Sequence, residues 1–339
     1  MKALFIGGTG TISMAITRLA AERGWEMYLL NRGNRSAELP DNVRVLPVDI
    51  NDEAAAAKML EGMQFDTVCD FIGFVPSQLE RDYRLFAGKT KQFMYISSAS
   101  AYQKPLSDFR INEGTPLANP YWQYSRDKIA CEDFLMKMYR ENGFPVTIIR
   151  PSHTFDERAV PMGVHGNGGS WQVVKRMLEG KPVIIHGDGT SLWTMTFNRD
   201  FAKGFVGLMG NLHAIGEAFQ ITTTETLTWN QIYQSIANAL GVELKPYYVP
   251  SDFLMAVSDY DFEGSLIGDK ANSVVFDNRK LKRAVSDFCP SYRFDEAIRI
   301  TIEYVLSHPE CQNEDAEFDA WCDKVIAALE AAKAAIRGA

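Results

Sequence analysis

A chain of 339 residues, 46 % apolar and 23 % charged, holds enough hydrophobic material for a large core, as two domains or one large α/β domain. Its net charge of −8, with no Lys/Arg-rich block, opposes a nucleic-acid surface, and no apolar run approaches the ~20 residues that span a bilayer. The five cysteines form no CxxC and the five histidines show no ligand spacing. No disulfide framework or metal site is therefore indicated, and with no signal-peptide layout at the N-terminus the expected setting is a reducing cytoplasm.

The chain opens with a short apolar run, Lys2–Ile6, followed directly by Gly7-Gly8-Thr9-Gly10-Thr11-Ile12-Ser13. Met14, Ile16, Leu19 and Ala20 then recur at helical spacing up to Gly24. Strand, glycine turn and helix together form the start of a dinucleotide-binding βαβ unit. Gly7 allows the sharp turn, and Gly10 removes a Cβ where a pyrophosphate would lie on the backbone. At Thr11 and Ile12 the free N–H groups of the helix start would face the anion. Ser13 stands where a third glycine is usual.

Trp25–Leu30 reads as a second strand that ends at Asn31, Arg32, Gly33, Asn34 and Arg35. An acidic residue here would accept from the 2′-hydroxyl of NAD, whereas a basic one would pair with the 2′-phosphate of NADP. The stretch holds Asn31, Arg32 and Arg35, which favours NADP. In the alternative, the arginines are a solvated turn and the Asn31 amide serves NAD. Asn42–Val48 is a third strand, with Asp49 after it as a candidate for an adenine amino group and Ile50 beside it. Asp52 reads as the cap of a helix from Ala54 to Met63. Phe65–Phe74 carries a fourth strand and its exit loop, in which Phe71 and Gly73 are placed at the cofactor. After a helix from Leu79 to Phe86, Gln92–Ile96 is a fifth strand that enters Ser97-Ser98-Ala99-Ser100-Ala101-Tyr102. Tyr124–Tyr139 is a long helix, and Pro145–Ile149 is a sixth strand leading to Arg150 and Pro151. This alternation predicts an α/β fold with a Rossmann-type, doubly wound parallel sheet.

Beyond Pro151 the alternation loosens. The glycine-rich stretch Val164–Ser170, flanked by His165 and Trp171, reads as a mobile loop able to close over a substrate. Trp171–Gly180 is helical, and Val183–Ile185, Ala218–Thr222 and Glu243–Val249 are strands. Thr228–Leu240 is an amphipathic helix with Thr228 as N-cap and Gly241 beyond its end. The Ala-rich tail from Asp315 to Ile336 is helical and carries no chemistry.

Tyr124-Ser125-Arg126-Asp127-Lys128 holds the candidate chemistry. Tyr124 and Lys128, at i and i+4, share one helical face. A free tyrosine titrates near ~10, and a neighbouring ammonium favours the phenolate, moving it towards ~7 where acid–base work is efficient. Lys128 could also bond the nicotinamide ribose. Tyr124 lies 26 residues after Ser98. Ser98 sits past the carboxyl end of the fifth strand, where open α/β sheets bind ligands. Its hydroxyl would donate to a substrate oxygen, although Ser97 or Ser100 could fill that role.

With these motifs in this order, the sequence resembles the extended short-chain dehydrogenase/reductases, the NAD-dependent epimerase/dehydratase family. The resemblance rests on Gly7–Ser13, Ser97–Tyr102, Tyr124–Lys128 and Arg150-Pro151, and covers roughly residues 1–305. It implies a Rossmann domain over 1–160, with 190–236 returning to it. It also implies a smaller C-terminal substrate domain from 161–189 and 237–310, ahead of a helical tail over 311–339. Ser98, Tyr124 and Lys128 would be the catalytic triad, with Pro151 at the cofactor. A homodimer would form through helices near Gln78–Phe86 and Ser125–Tyr139.

The resemblance implies oxidation or reduction of a secondary hydroxyl on a sugar-like molecule. Epimerisation through a transient ketone is the leading version, and NADP-dependent net reduction or dehydrogenation is the other. Ala99 and Ser100 stand where dehydratases of the family carry an acid pair, which disfavours dehydration. Trp193, after Gly187-Asp188-Gly189, replaces an arginine that holds nucleotide diphosphates in relatives. It would stack on a sugar face or pack in the core. Ser100 and His153 fall at substrate-contacting positions, although a buried, satisfied histidine is the plainer reading of His153. A different class, RNA binding on this same fold, is opposed by the acidic charge and by the complete Ser98–Tyr124–Lys128 set.

Overall fold

The computed structural model describes residues 1–33 and 39–338. Arg35 lies outside the described residues. The chain divides into two compact units, each built from three segments.

The first unit comprises Met1–Thr154, Thr196–Thr224 and Val275–Ser291. Its centre is a seven-stranded sheet whose first five strands in sequence are β1 (Lys2–Ile6), β2 (Glu26–Asn31), β3 (Val43–Pro47), β4 (Thr67–Asp70) and β5 (Phe93–Ile96). Val146–Pro151 and Ala218–Ile221 extend it beyond β5, in the spatial order Ala218–Ile221, Val146–Pro151, β5, β4, β1, β2, β3. Every pairing is parallel. This is a Rossmann-type order, and the strand sequence reverses between β1 and β4, where such sheets open a crevice for ligands.

Helices cover both faces, so β1 is apolar at consecutive positions rather than alternating ones. Ala3 and Phe5 point to one core with Ile16, Met27, Leu29, Phe201, Phe205, Leu281 and Phe288. Leu4 and Ile6 point to the other with Tyr28, Val68, Leu79, Phe86, Cys131 and Leu135. The first core is closed by α1 (Ser13–Glu22) and the helix Asn198–Leu208, and the second by α2 (Glu53–Met59), α3 (Pro76–Phe86) and α4 (Gln123–Asn142). Each fully buried Phe or Leu adds about 1.5–3 kcal/mol to this packing.

The unit boundaries differ from those expected. The returning segment is 196–224 rather than 190–236, and 275–291 returns as well. Gln220 ties these pieces together: its Nε2 donates to Ile111 O at 3.1 Å and to Asp277 O at 2.9 Å. Asn278 Nδ2 donates to Thr222 O at 2.8 Å. No local periodicity announces such contacts.

The second unit comprises Phe155–Met195, Glu225–Val274 and Tyr292–Ala339. The helix Trp229–Leu240 starts on a capping box, in which Thr228 Oγ1 accepts from Gln231 N at 3.2 Å and Gln231 Oε1 accepts from Thr228 N at 2.9 Å. It ends at Gly241, at φ 71°. Its buried face, Trp229, Ile232, Tyr233 and Ile236, belongs to this unit, so residues 225–236 do not return to the sheet. The helix Ala316–Arg337, expected as a tail, is part of the same unit. Arg176, buried on the helix Trp171–Leu178, donates to Asp319 Oδ1 at 2.7 Å and Asp323 Oδ1 at 2.8 Å.

In the stretch Val164–Ser170, Val164 and Gly166 are buried while His165, Asn167 and Gly168 are exposed. Gly168 N donates to Asp315 Oδ2 at 3.0 Å. A Cβ on Gly166 would lie 2.3 Å from Asp315 Oδ2 and 2.7 Å from Phe318 Cβ. Gly166 and Gly168 thus admit the start of the last helix. No helix among the described residues is long and apolar enough to cross a membrane.

Candidate active site

The glycine turn is built by three different devices. Gly7 and Gly8 take φ of 101° and 95°, a region that side chains disfavour. A Cβ on Gly8 would also stand 2.6 Å from Leu29 Cδ2. Gly8, which the sequence does not single out, is therefore the position where turn and β2 meet most closely. Gly10 differs: the nearest atom to a Cβ there is Ser13 Oγ at 3.5 Å, an ordinary contact. Ser13 is more than a small substitute for glycine, because its Oγ accepts from Gly10 N at 2.9 Å. Thr17 Oγ1 donates to Gly8 O at 2.9 Å and secures the turn from below. Helix α1 has no side-chain cap and no acidic residue in its first turn, so its positive end is left for an external anion.

This turn borders a cavity of about 660 Å³, within the range of small-molecule and cofactor sites. Gly7, Gly10, Thr11 and Ile12 line one end, with Asn31, Arg32, Asp49 and Ile50 beside them. Phe71, Pro151, Ser98, Tyr124 and Lys128 line the other. Asn31 Oδ1 accepts from Gly33 N at 2.9 Å, and Asp49 Oδ1 accepts from Asn51 N at 2.9 Å, so each shapes its own turn. A shape with bare backbone at a helix start and no acid in that helix's first turn fits a dinucleotide pyrophosphate.

The three serines after β5 have separate partners. Ser97 Oγ donates to Glu132 Oε1 at 2.5 Å, and Glu132 is held by Arg150 Nε and Nη2 at 2.9 and 2.6 Å. Ser98 Oγ accepts from Ser100 N at 3.1 Å and lies 2.9 Å from Ser100 Oγ. Ser100 Oγ in turn accepts from Ser125 Oγ at 2.8 Å, with Asn119 Nδ2 donating to Ser125 Oγ at 3.3 Å. Ser97 and Ser98 border the cavity, whereas Ser100 is buried behind Ser98 and orients it.

Lys128, 2 % exposed, donates from Nζ to Gly73 O and Ile96 O, each at 2.7 Å. Nζ lies 5.7 Å from the Tyr124 ring centroid. Burial pulls the Lys128 ammonium down to about 8, opposed first by Asp70. Gly73 does not line the cavity. Its role differs from the close cofactor approach expected: a Cβ there would be 2.2 Å from Asp70 Oδ2, so the glycine makes room for a buried carboxylate.

His153 is half-buried on the strand His153–Phe155 and is not among the cavity-lining residues. Trp193 lies in the second unit, 2 % exposed, and stacks on Trp229 at 5.8 Å and 29°. Of the two roles open to it, core packing describes its position. The sequence does not single out Glu132, Asp70, Asp82 or Phe74, which lines the cavity with its ring centroid 4.8 Å from Lys128 Nζ. Glu132 stands one turn after Lys128, and Asp70 ends an apolar strand, so both had a local signal.

A model of the NAD dependent epimerase/dehydratase family matches residues 3–222, well over half of the chain. The chain is similar to 2′-dehydrokanamycin reductase of Streptomyces kanamyceticus, 22 % identical over 253 residues, covering 75 % of this chain and 70 % of that protein. It is similar also to the chloroplast stem-loop binding protein of 41 kDa b of Arabidopsis thaliana, 23 % identical over 267 residues, covering 74 % and 67 %. Among solved structures, UDP-glucuronic acid 4-epimerase from Bacillus cereus in complex with NAD matches with a TM-score of 0.70 at 18 % identity, covering 90 % of this chain and 96 % of that one. At that identity the likeness is one of fold. Motif order, sheet order and the family match agree, and the chain belongs to the NAD-dependent epimerase/dehydratase family.

Proposed function

We propose that this protein interconverts a secondary hydroxyl and a ketone on a carbohydrate-like small molecule, with a nicotinamide dinucleotide bound in the 660 Å³ cavity. One observation carries this reading: the glycine turn and the Ser98, Tyr124 and Lys128 side chains border the same cavity. Gly7, Gly10, Thr11 and Ile12 would hold the pyrophosphate, Asn31 and Arg32 the adenosine ribose, and Asp49 and Ile50 the adenine. When bound, the nicotinamide supplies a hydride acceptor and donor. Tyr124 takes the substrate hydroxyl proton and returns it. Lys128 favours the phenolate form of Tyr124. Ser98, oriented by Ser100, donates to the substrate oxygen.

Net epimerisation, with hydride removed from one face and returned to the other, is the first version. The second is net reduction with NADPH, favoured by Arg32 and by the lack of a carboxylate at the end of β2. Neutral Ala99 and Ser100 after Ser98 speak against dehydration. Stem-loop binding is named for the plant relative; here the charge of −8 and the complete triad favour chemistry.

Mass spectrometry of the nucleotide released on denaturation identifies NAD or NADP. A panel of polyhydroxylated alcohols and ketones then separates the versions. Turnover without change in reduced-nicotinamide absorbance supports epimerisation, and a net change supports the reductase. Tyr124→Phe lowers kcat by at least ~100-fold while cofactor binding is kept. Retained turnover in that variant overturns the assignment.

A further inference from the structure

Two buried carboxyl groups meet behind Lys128. Asp70 ends β4 and Asp82 lies on α3, and both are 0 % exposed. Each commits one oxygen. Asp70 Oδ1 accepts the N–H groups of Ile72 at 2.8 Å and Gly73 at 3.0 Å. Asp82 Oδ1 accepts from Arg81 Nε at 2.9 Å, with Arg81 Nη2 2.8 Å away. Arg81 Nη1 continues to Asn51 Oδ1 at 2.7 Å. The other two oxygens, Asp70 Oδ2 and Asp82 Oδ2, are buried and have no donor. Asp70 Oδ2 and Leu79 Cδ2, the latter one turn before Asp82 on α3, lie 2.2 and 3.0 Å from the Cβ position of Gly73, so the bare oxygen of Asp70 sits against the buried face of α3 that carries Asp82. If both were ionised, two bare acceptors would repel in a site closed to water, a costly arrangement. One proton between them removes both faults, since it gives one oxygen a donor and cancels one charge.

We propose that Asp70 and Asp82 hold a single shared proton, and that the resulting singly charged pair is the counterion that keeps Lys128 in place as an ammonium. The proton resides on Asp82: Asp70 Oδ1 is already committed to two backbone N–H groups, those of Ile72 and Gly73. Burial and the adjacent Asp70 charge push the Asp82 carboxyl up, against the pull of Arg81. Gly73 links the pair to the lysine: its N–H binds Asp70 Oδ1 and its carbonyl binds Lys128 Nζ. The titratable groups around the pair are Arg81 on α3, Lys128, Cys131 and Glu132 on α4, Tyr95 on β5 and Cys69 on β4. Burial pushes Tyr95, Cys69 and Cys131 up, so these stay neutral, and Glu132 is paired with Arg150. Asp70 is thus the principal charge that sustains Lys128.

A raised Asp82 has a defined linkage. Its contribution to stability is complete below the unfolded value, near ~3.9, and is lost as pH rises towards the folded value. Asp82→Asn keeps a donor for Asp70 Oδ2 and has no proton to lose.

The connection to catalysis rests on the reading of Tyr124 and Lys128 as the acid–base pair, and the test keeps the two apart. Infrared spectra of the full chain in H2O and D2O at neutral pH should show a protonated-carboxyl C=O band that Asp82→Asn removes. Thermal unfolding of Asp82→Asn should fall less steeply with rising pH than that of the wild type. Asp70→Asn moves the remaining charge onto Asp82, away from Gly73. In protein labelled with 13C-lysine, with Lys128→Arg for assignment, the Lys128 midpoint should drop by about one unit in Asp70→Asn and hold in Asp82→Asn. An unchanged infrared spectrum in Asp82→Asn, parallel stability curves, or a fixed Lys128 midpoint in Asp70→Asn overturns the proposal. A band lost in Asp82→Asn together with an active Tyr124→Phe overturns only the catalytic reading.

Discussion

The molecule has two glycine-rich stretches, Gly7–Gly10 in the first unit and Gly163–Gly169 in the second, and they use the same residue for opposite ends. In the first, Gly10 faces the cavity, and no protein atom lies closer to its missing Cβ than Ser13 Oγ at 3.5 Å. In the second, the space a side chain would need at Gly166 is already taken by Asp315 and Phe318, and Gly168 N is bonded to Asp315. One stretch leaves room for a ligand and the other leaves room for the protein itself. Glycine density alone therefore signals neither binding nor motion; the difference lies in what occupies the space of the missing Cβ.

Three substitutions press on this contrast. Gly10→Ala should have the largest effect, weakening NAD(P) binding by about 100-fold, or about 2.7 kcal/mol, with the unfolding temperature almost unchanged. Calorimetric titration beside a thermal melt reads both, and a melt that falls with affinity intact would erase the contrast. Gly166→Ala should do the reverse. It forces Asp315 and Phe318 apart, costing roughly 2 kcal/mol of stability in denaturant unfolding while cofactor affinity stays within about twofold. Asp315→Ala is the mildest. It removes the acceptor for Phe318 N and Gly168 N, both at 3.0 Å, and should cost about 1 kcal/mol. If Asp315→Ala proves neutral, the second stretch is held by apolar packing on Phe318 alone.

The same contrast marks how far local pattern reaches. The turn after β1, the Thr228 cap and Gly241 are legible because each is decided within a few residues by backbone geometry and period. Thirteen of the candidate site residues, from Gly7 to Pro151, border one cavity because in a parallel sheet the carboxyl ends of β1, β2, β4 and β5 lie at one edge. Gly73 was legible as a glycine that matters, yet its reason, the Asp70 carboxylate, belongs to packing. Trp193 had two roles open to it, and only the position of Trp229 describes which one it fills. The returning segment 275–291 left no trace in periodicity, since Gln220 and Asn278 act through single side-chain bonds across long separations.

By itself, then, the sequence determined the parallel α/β class and the Tyr124–Lys128 pairing on one helical face, because both follow from short-range spacing, and the order of its motifs carried the resemblance to the family. Tertiary structure alone decided that Ser100 stands behind Ser98, that the last helix fills the second glycine stretch, and that Asp70 and Asp82 meet. Those outcomes depend on which surfaces remain for a buried polar atom once the strands and helices have closed, and a buried acceptor takes whatever partner the closed core leaves within reach.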